Sequence, residues 1–113
     1  MYGYTGKILH ANLTTGELTV EEPPISFYRR YLGGNNFVGY YLLKYVPHGA
    51  DPLGPDNILI MAGGTVTGVP VAGAGRSVVG CKSPLTGGYG EADGGGFFGA
   101  EMRRAGFDAI VVH

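Results

Sequence analysis

The stretch AGAGRSVVGCKSPLTGGYGEADGGGFFG, residues 72–99, contains ten glycines. Glycine loses more backbone freedom on folding than any other residue, so this density requires a structural or functional reason. The whole chain has 22 glycines in 113 residues, about three times average usage, without a collagen-like period or a serine-rich linker. The sequence therefore predicts glycines at chosen positions, where another group comes close to the backbone.

The composition favours one globular domain, residues 1–113, and excludes several classes of protein. Hydrophobic residues make up 44% of the chain and charged residues 15%, which suits a packed core and not a disordered tail. The net charge of −1 offers no basic surface for nucleic acid. A single cysteine, Cys81, excludes an internal disulfide framework and a thiolate metal site. No signal-like N-terminus or 18-residue apolar run is present, so we expect a cytoplasmic protein without a membrane partner.

The alternation of apolar residues and the positions of Gly and Pro predict an α+β chain dominated by sheet. The glycines and the Asn and Asp residues predict the helix ends, with Asn35 or Asn36 capping one helix and Asp93 another. The final strand stops with the chain, which predicts a fragment of something longer. The predicted elements are a hairpin over 7–20, helices over 25–32, 37–45 and 95–105, and strands over 57–62, 77–82, 88–92 and 108–113.

Gly94 to Gly99 match the dinucleotide-binding pattern G-x-G-x-x-G between a predicted strand and a predicted helix. The preceding GGYGEA is a poor match to a buried first strand, and the acidic residue expected about 20 positions later would lie past residue 113. A dinucleotide-binding oxidoreductase domain therefore stays an alternative. A helix opened by glycines can also bind an anion through its free N–H groups, unless Asp93 caps it.

Among the polar residues, Arg76 is the strongest candidate for binding. It follows a glycine-rich loop, and its rigid, permanently charged guanidinium suits phosphate or carboxylate, although a solvated arginine is the simpler interpretation. His10 is interpreted as a solvated strand residue, and His48 and His113 have no partner at ligand spacing. No catalytic residue is predicted in this segment.

Several motifs together resemble the N-terminal domain of the aldehyde ferredoxin oxidoreductases. Their order and spacing match over the whole chain, and the last two are the most specific. The motifs are GKILHANLTTG at 6–16, DPL at 51–53, PDN at 55–57, Gly75–Arg76, KSPLTG at 82–87 and G-G-x-F-G-A-E-x-x-x-A-G-x-D-A at 95–109.

The resemblance implies a role for the glycines. In that family the N-terminal domain is a β-rich base of two related halves, on which a tungsten (sometimes molybdenum) bis-pterin cofactor lies. It implies pterin contacts from Arg76, Asp93, Gly94 and Gly95, and a magnesium ion, bridging the pterin phosphates, on the backbone carbonyl of Asp93. A family member has Asn at position 93, so the Asp93 carboxylate adds a negative charge there.

The resemblance also implies what the parent protein does. It would oxidise aldehydes to carboxylates and pass electrons through a [4Fe–4S] cluster to ferredoxin. This segment cannot ligate that cluster with one cysteine. Its expected partners are ferredoxin, a small aldehyde and the remainder of the parent chain, with a homodimer left open. A non-catalytic scaffold subunit with the same fold is a further alternative.

Overall fold

The computed structural model describes residues 3–113, so the first two residues of the predicted domain lie outside the described residues. The described chain forms one mixed sheet of six strands with three helices, which confirms the α+β prediction. The strands are β1 (Ile8–Ala11), β2 (Leu18–Glu21), β3 (Leu59–Gly63), β4 (Ser77–Lys82), β5 (Tyr89–Gly94) and β6 (Ala109–Val112); the helices are α1 (Ile25–Tyr31), α2 (Asn35–Tyr45) and α3 (Phe98–Arg104).

The strand order is β2-β1-β6-β3-β4-β5. Within residues 3–113, only β1 and β6 pair in parallel, and every other neighbouring pair is antiparallel. The predicted hairpin is β1 and β2, and the predicted final strand enters the middle of the sheet beside β1 and β3. β5 is an edge strand, as its five exposed residues out of six indicate.

The core lies between α1, α2 and one face of the sheet. Burial alternates along β4 and β6, as expected where helices cover a single face. The helices contribute large aromatic side chains, and the strands contribute aliphatic ones. The fully buried core residues are Ile8, Tyr28, Phe37, Val38, Tyr41, Ile60, Ala62, Ala109 and Val111.

A buried ion pair fixes α3 and the N-terminal segment to the sheet. The Asp108 carboxylate is fully buried and lies 2.9 Å from Nη1 of Arg103. It also accepts hydrogen bonds from the backbone N–H groups of Thr5 and Gly6, both at 2.9 Å. Removing one partner of such a pair leaves an uncompensated buried charge, which typically lowers the free energy of unfolding by about 3–5 kcal/mol.

The helix caps differ from the prediction. The N-cap of α2 is Gly34, with φ +59°, and no side chain caps it, so Asn35 and Asn36 lie inside the helix. Asp93 lies in β5, and α3 begins at Phe98 with Phe97 as its uncapped N-cap. The prediction that Asp93 caps this helix is therefore wrong, because the glycines after it do not join the helix.

Candidate functional site

The predicted site residues meet at one end of the sheet, where β3 and β5 end and β4 begins. Gly63, Ser77 and Gly94 form the last row of paired residues there. An open cleft of about 350 Å³ lies at this end. Arg76 and Asp93 both line it, as do Gly34, Asn35, Ala62, Gly64, Val66, Thr67, Gly73, Ala74, Ser77 and Val78.

Strand pairing explains why Arg76 and Asp93 come together although 17 positions separate them. Asp93 pairs with Val78, and Gly94 pairs with Ser77, the residue directly after Arg76. Both charged residues are exposed, and within residues 3–113 neither forms a salt bridge. The guanidinium and the carboxylate are therefore both available to a ligand in the cleft.

The N-terminus of α2 adds positive potential to the same cleft. Gly34 and Asn35 line it, and the helix has eleven residues with no acidic residue in its first turn. The aligned peptide dipoles of such a helix place about half a positive charge at its N-terminus. With Arg76 included, two positive features and one carboxylate face the cleft, which suits an anionic ligand.

The glycines beside the cleft differ in what surrounds them. A Cβ added at Gly94 or Gly95 would meet no atom within 4 Å, and neither residue has a positive φ. Gly96 also has open space around it, but its φ of +100° already favours glycine. Packing and backbone conformation in the described chain therefore give no reason for glycine at positions 94 and 95, and the space that a side chain would take is free for a ligand.

This geometry fits the cofactor that the resemblance implies. A flat, polyanionic pterin requires close approach to the backbone, which Gly94 and Gly95 permit, and cationic groups, which Arg76 and the start of α2 supply. Oxygen atoms at Asp93 suit magnesium, which prefers hard ligands. Among residues 3–113, no three His, Cys, Asp or Glu side chains lie close enough together to hold a metal ion.

The topology contradicts the dinucleotide-binding alternative. That fold needs a buried parallel strand before the glycine motif and a parallel strand after the helix. Here β5 is an exposed antiparallel edge strand, and the strand after α3 is β6, which lies three positions away, beyond β4 and β3. The alternation of antiparallel neighbours makes β5 and β6 run in opposite directions.

A second group of polar residues lies on β1, β2 and the end of the chain. The interpretation of His10 as a solvated residue is wrong, because its side chain is only 11% exposed. Its Nε2 lies 2.7 Å from Oε2 of Glu21, and its Nδ1 lies 3.1 Å from Nε2 of His113. Burial and the neighbouring His10 lower the pKa of His113. These residues do not line the cleft that holds Arg76.

No sequence pattern indicated a role for Thr67, which is 7% exposed and lines the cleft. Its hydroxyl donates a hydrogen bond to the backbone carbonyl of Arg76 at 2.9 Å and accepts one from the N–H of Gly64 at 2.8 Å. A threonine within a glycine-rich loop is a weak signal for such a role, because its partners become neighbours only when the loop closes.

Comparisons with known proteins agree with the architecture. The family model described as aldehyde ferredoxin oxidoreductase, N-terminal domain, matches residues 8–113. The chain belongs to the aldehyde ferredoxin oxidoreductase family. Within this family it is 46% identical over 112 residues to the tungsten-containing aldehyde ferredoxin oxidoreductase of Pyrococcus furiosus, and 47% identical to that of Thermococcus kodakarensis. Each alignment covers 99% of this chain and 18% of the relative.

A solved structure extends the match beyond aldehyde enzymes. The active site complex BamBC of benzoyl coenzyme A reductase, in complex with 1,5-dienoyl-CoA, superposes with a TM-score of 0.94 and 33% identity, covering 99% of this chain and 17% of that one. The chain thus spans about a fifth of the length of its relatives in the aldehyde ferredoxin oxidoreductase family. In the described residues, no helix is long and apolar enough to cross a membrane.

Proposed function

We propose that this chain forms part of the pterin-binding base of a tungsten- or molybdenum-dependent oxidoreductase. The observation that carries the proposal is the unexplained pair Gly94 and Gly95 beside Arg76 and the start of α2. In this role Arg76 binds an anionic group of the cofactor, and the two glycines let the backbone approach it. The backbone carbonyl of Asp93 is the proposed ligand of a magnesium ion that offsets the cofactor phosphates.

The proposed activity of the parent protein is the oxidation of an aldehyde to a carboxylate. When bound, the metal and its pterin would supply the two-electron chemistry, and electron transfer to ferredoxin would require a [4Fe–4S] cluster, which the single cysteine of this segment cannot ligate. The residues described here bind and orient, and none acts on the aldehyde. The relatives from P. furiosus and T. kodakarensis, whose names give tungsten, aldehyde and ferredoxin, support this choice. The cytoplasm is the proposed compartment.

Reduction of an aromatic coenzyme A thioester is the second candidate activity. It is favoured by the TM-score of 0.94 to the benzoyl coenzyme A reductase complex. The identity to that complex is 33%, against 46% to the P. furiosus aldehyde enzyme, so aldehyde oxidation is the better supported activity. Assaying the full-length gene product with aldehydes and with aromatic coenzyme A thioesters separates the two.

The binding proposal is tested by Arg76→Ala in the full-length gene product. A charge-assisted hydrogen bond contributes about 1.5–3 kcal/mol, so its loss should lower the tungsten or molybdenum content well before it lowers the melting temperature. Elemental analysis and thermal unfolding measure the two effects, with Arg29→Ala as the control, because Arg29 is an exposed arginine of α1 outside the cleft. If Arg76→Ala keeps full metal content, Arg76 does not bind the cofactor.

A further inference from the structure

The side chain of Thr67 forms a hydrogen bond with the backbone carbonyl of Arg76. Thr67 donates its hydroxyl hydrogen to this oxygen, and the same hydroxyl accepts the N–H of Gly64. The side chain thus joins the start of the loop between β3 and β4 to its end. Its methyl group faces α3, since a Cβ added at Gly99 would come within 2.9 Å of Cγ2 of Thr67.

The other end of this connection is the buried ion pair. Nη1 of Arg103 lies 2.9 Å from Asp108 and donates to the carbonyl of Gly64 at 3.1 Å. Gly64 is therefore fixed through its carbonyl by Arg103 and through its N–H by Thr67. A hydrogen-bonded path leads from the fully buried Asp108 to the backbone of Arg76, while the Arg76 side chain itself is exposed.

We infer that Thr67 is a positioning residue for the cofactor contact of Arg76. The inference rests on the proposed function, because the direction in which the Arg76 side chain leaves the backbone matters for binding only if Arg76 contacts the cofactor. An exposed arginine loses much side-chain freedom when it binds an anion. A fixed Arg76–Ser77 peptide restricts the directions open to the guanidinium before the ligand arrives, and the cost of ordering on binding falls accordingly.

Two substitutions separate the two halves of the Thr67 side chain. Thr67→Val keeps the shape and the methyl contact with Gly99 but leaves the Arg76 carbonyl and the Gly64 N–H without their partner. Thr67→Ser keeps the hydroxyl and loses the methyl. A merely structural role predicts that cofactor retention follows thermal stability in both variants, whereas a positioning role predicts that it follows the hydroxyl.

The experiment uses the full-length gene product loaded with cofactor and follows tungsten, molybdenum and pterin lost during dialysis, well below the melting temperature. We expect Thr67→Val to lose the cofactor about tenfold faster than the unmodified protein, as the loss of buried hydrogen bonds predicts. Thr67→Ser should stay within about twofold of the unmodified rate. If Thr67→Val yields no folded protein, Thr67→Cys, a weak donor, takes its place with the same expectation.

Ile8→Val is the control for stability. Ile8 is fully buried in β1, outside the cleft, so this variant lowers the melting temperature without touching Thr67. The inference would be overturned if Ile8→Val or Thr67→Ser lost its cofactor as fast as Thr67→Val. It would also be overturned if Thr67→Val retained its cofactor. Arg76→Ala distinguishes the two proposals. If Arg76→Ala loses its cofactor and Thr67→Val does not, only the positioning role fails. If Arg76→Ala retains its cofactor, the proposed function itself fails.

Discussion

Two groups of glycines differ in what an added side chain would meet: Gly80 in β4 with Gly99 in α3, and Gly94 at the end of β5 with Gly95 directly after it. At Gly80 an added Cβ would overlap Cγ1 of the buried Val38, and at Gly99 it would lie 2.9 Å from Cβ of Ser77. At Gly94 and Gly95 it would meet no atom within 4 Å. The first group allows α2 and α3 to pack closely, and the second group has no such reason within the described chain.

Structural glycines can be distinguished from functional ones in a glycine-rich chain by what surrounds them. A glycine that the fold needs has a positive φ or a neighbour closer than an ordinary van der Waals contact. A glycine with neither feature, beside a cleft that holds Arg76, indicates a group that the chain itself does not supply. We therefore expect substitutions in the two groups to affect different measurements.

The largest effect on stability is expected at Gly80. Gly80→Ala places a methyl group against Val38 in the core, and overpacking of this kind costs about 1–3 kcal/mol. Thermal unfolding of the full-length gene product measures the loss. In the double variant with Val38→Ala the methyl group has room, so the combined loss should be smaller than the sum of the single losses. Strict additivity would contradict the close contact.

The smallest effect is expected at His113. Burial and His10 lower its pKa, so the folded chain binds this proton less tightly than the unfolded chain. The stability that the neutral His113 contributes is therefore present above the unfolded pKa, near 6.5. It is lost as the pH falls through that value towards the folded pKa. His113→Gln should flatten the decline of melting temperature below about pH 7 while leaving metal content unchanged. An unchanged pH profile would contradict the shift, and a lost cofactor would contradict the separation from the cleft.

The sequence allowed much of the fold to be predicted, because apolar alternation and turn residues are local signals. The hairpin over 7–20 and the strand over 77–82 are confirmed by β1, β2 and β4. The family was also predicted correctly, since the motifs at 82–87 and 95–109 are specific and ordered. The helix caps were wrong, because the structure uses Gly34 and Phe97 where the sequence offered Asn and Asp side chains.

The site could be predicted in part. Arg76, Asp93 and Gly94 come together in the structure because β4 pairs with β5, and their binding roles stay predictions. Thr67 and the contact between His10 and His113 depend on neighbours that only tertiary packing creates. No local pattern marks a threonine whose partners are backbone groups three and nine residues away, or a histidine pair 103 residues apart.

If the open glycines make room for a cofactor, Gly95→Ala in the full-length gene product should lower cofactor binding without lowering stability. Gly95 has neither a positive φ nor a close neighbour. The free energy of unfolding of the cofactor-free protein should therefore change by less than about 0.5 kcal/mol, with little change in its melting temperature. Tungsten or molybdenum bound per folded chain should fall severalfold, because the new methyl group occupies the space proposed for the pterin. Full metal content in Gly95→Ala, or a stability loss as large as that of Gly80→Ala, would contradict this role for the open glycines.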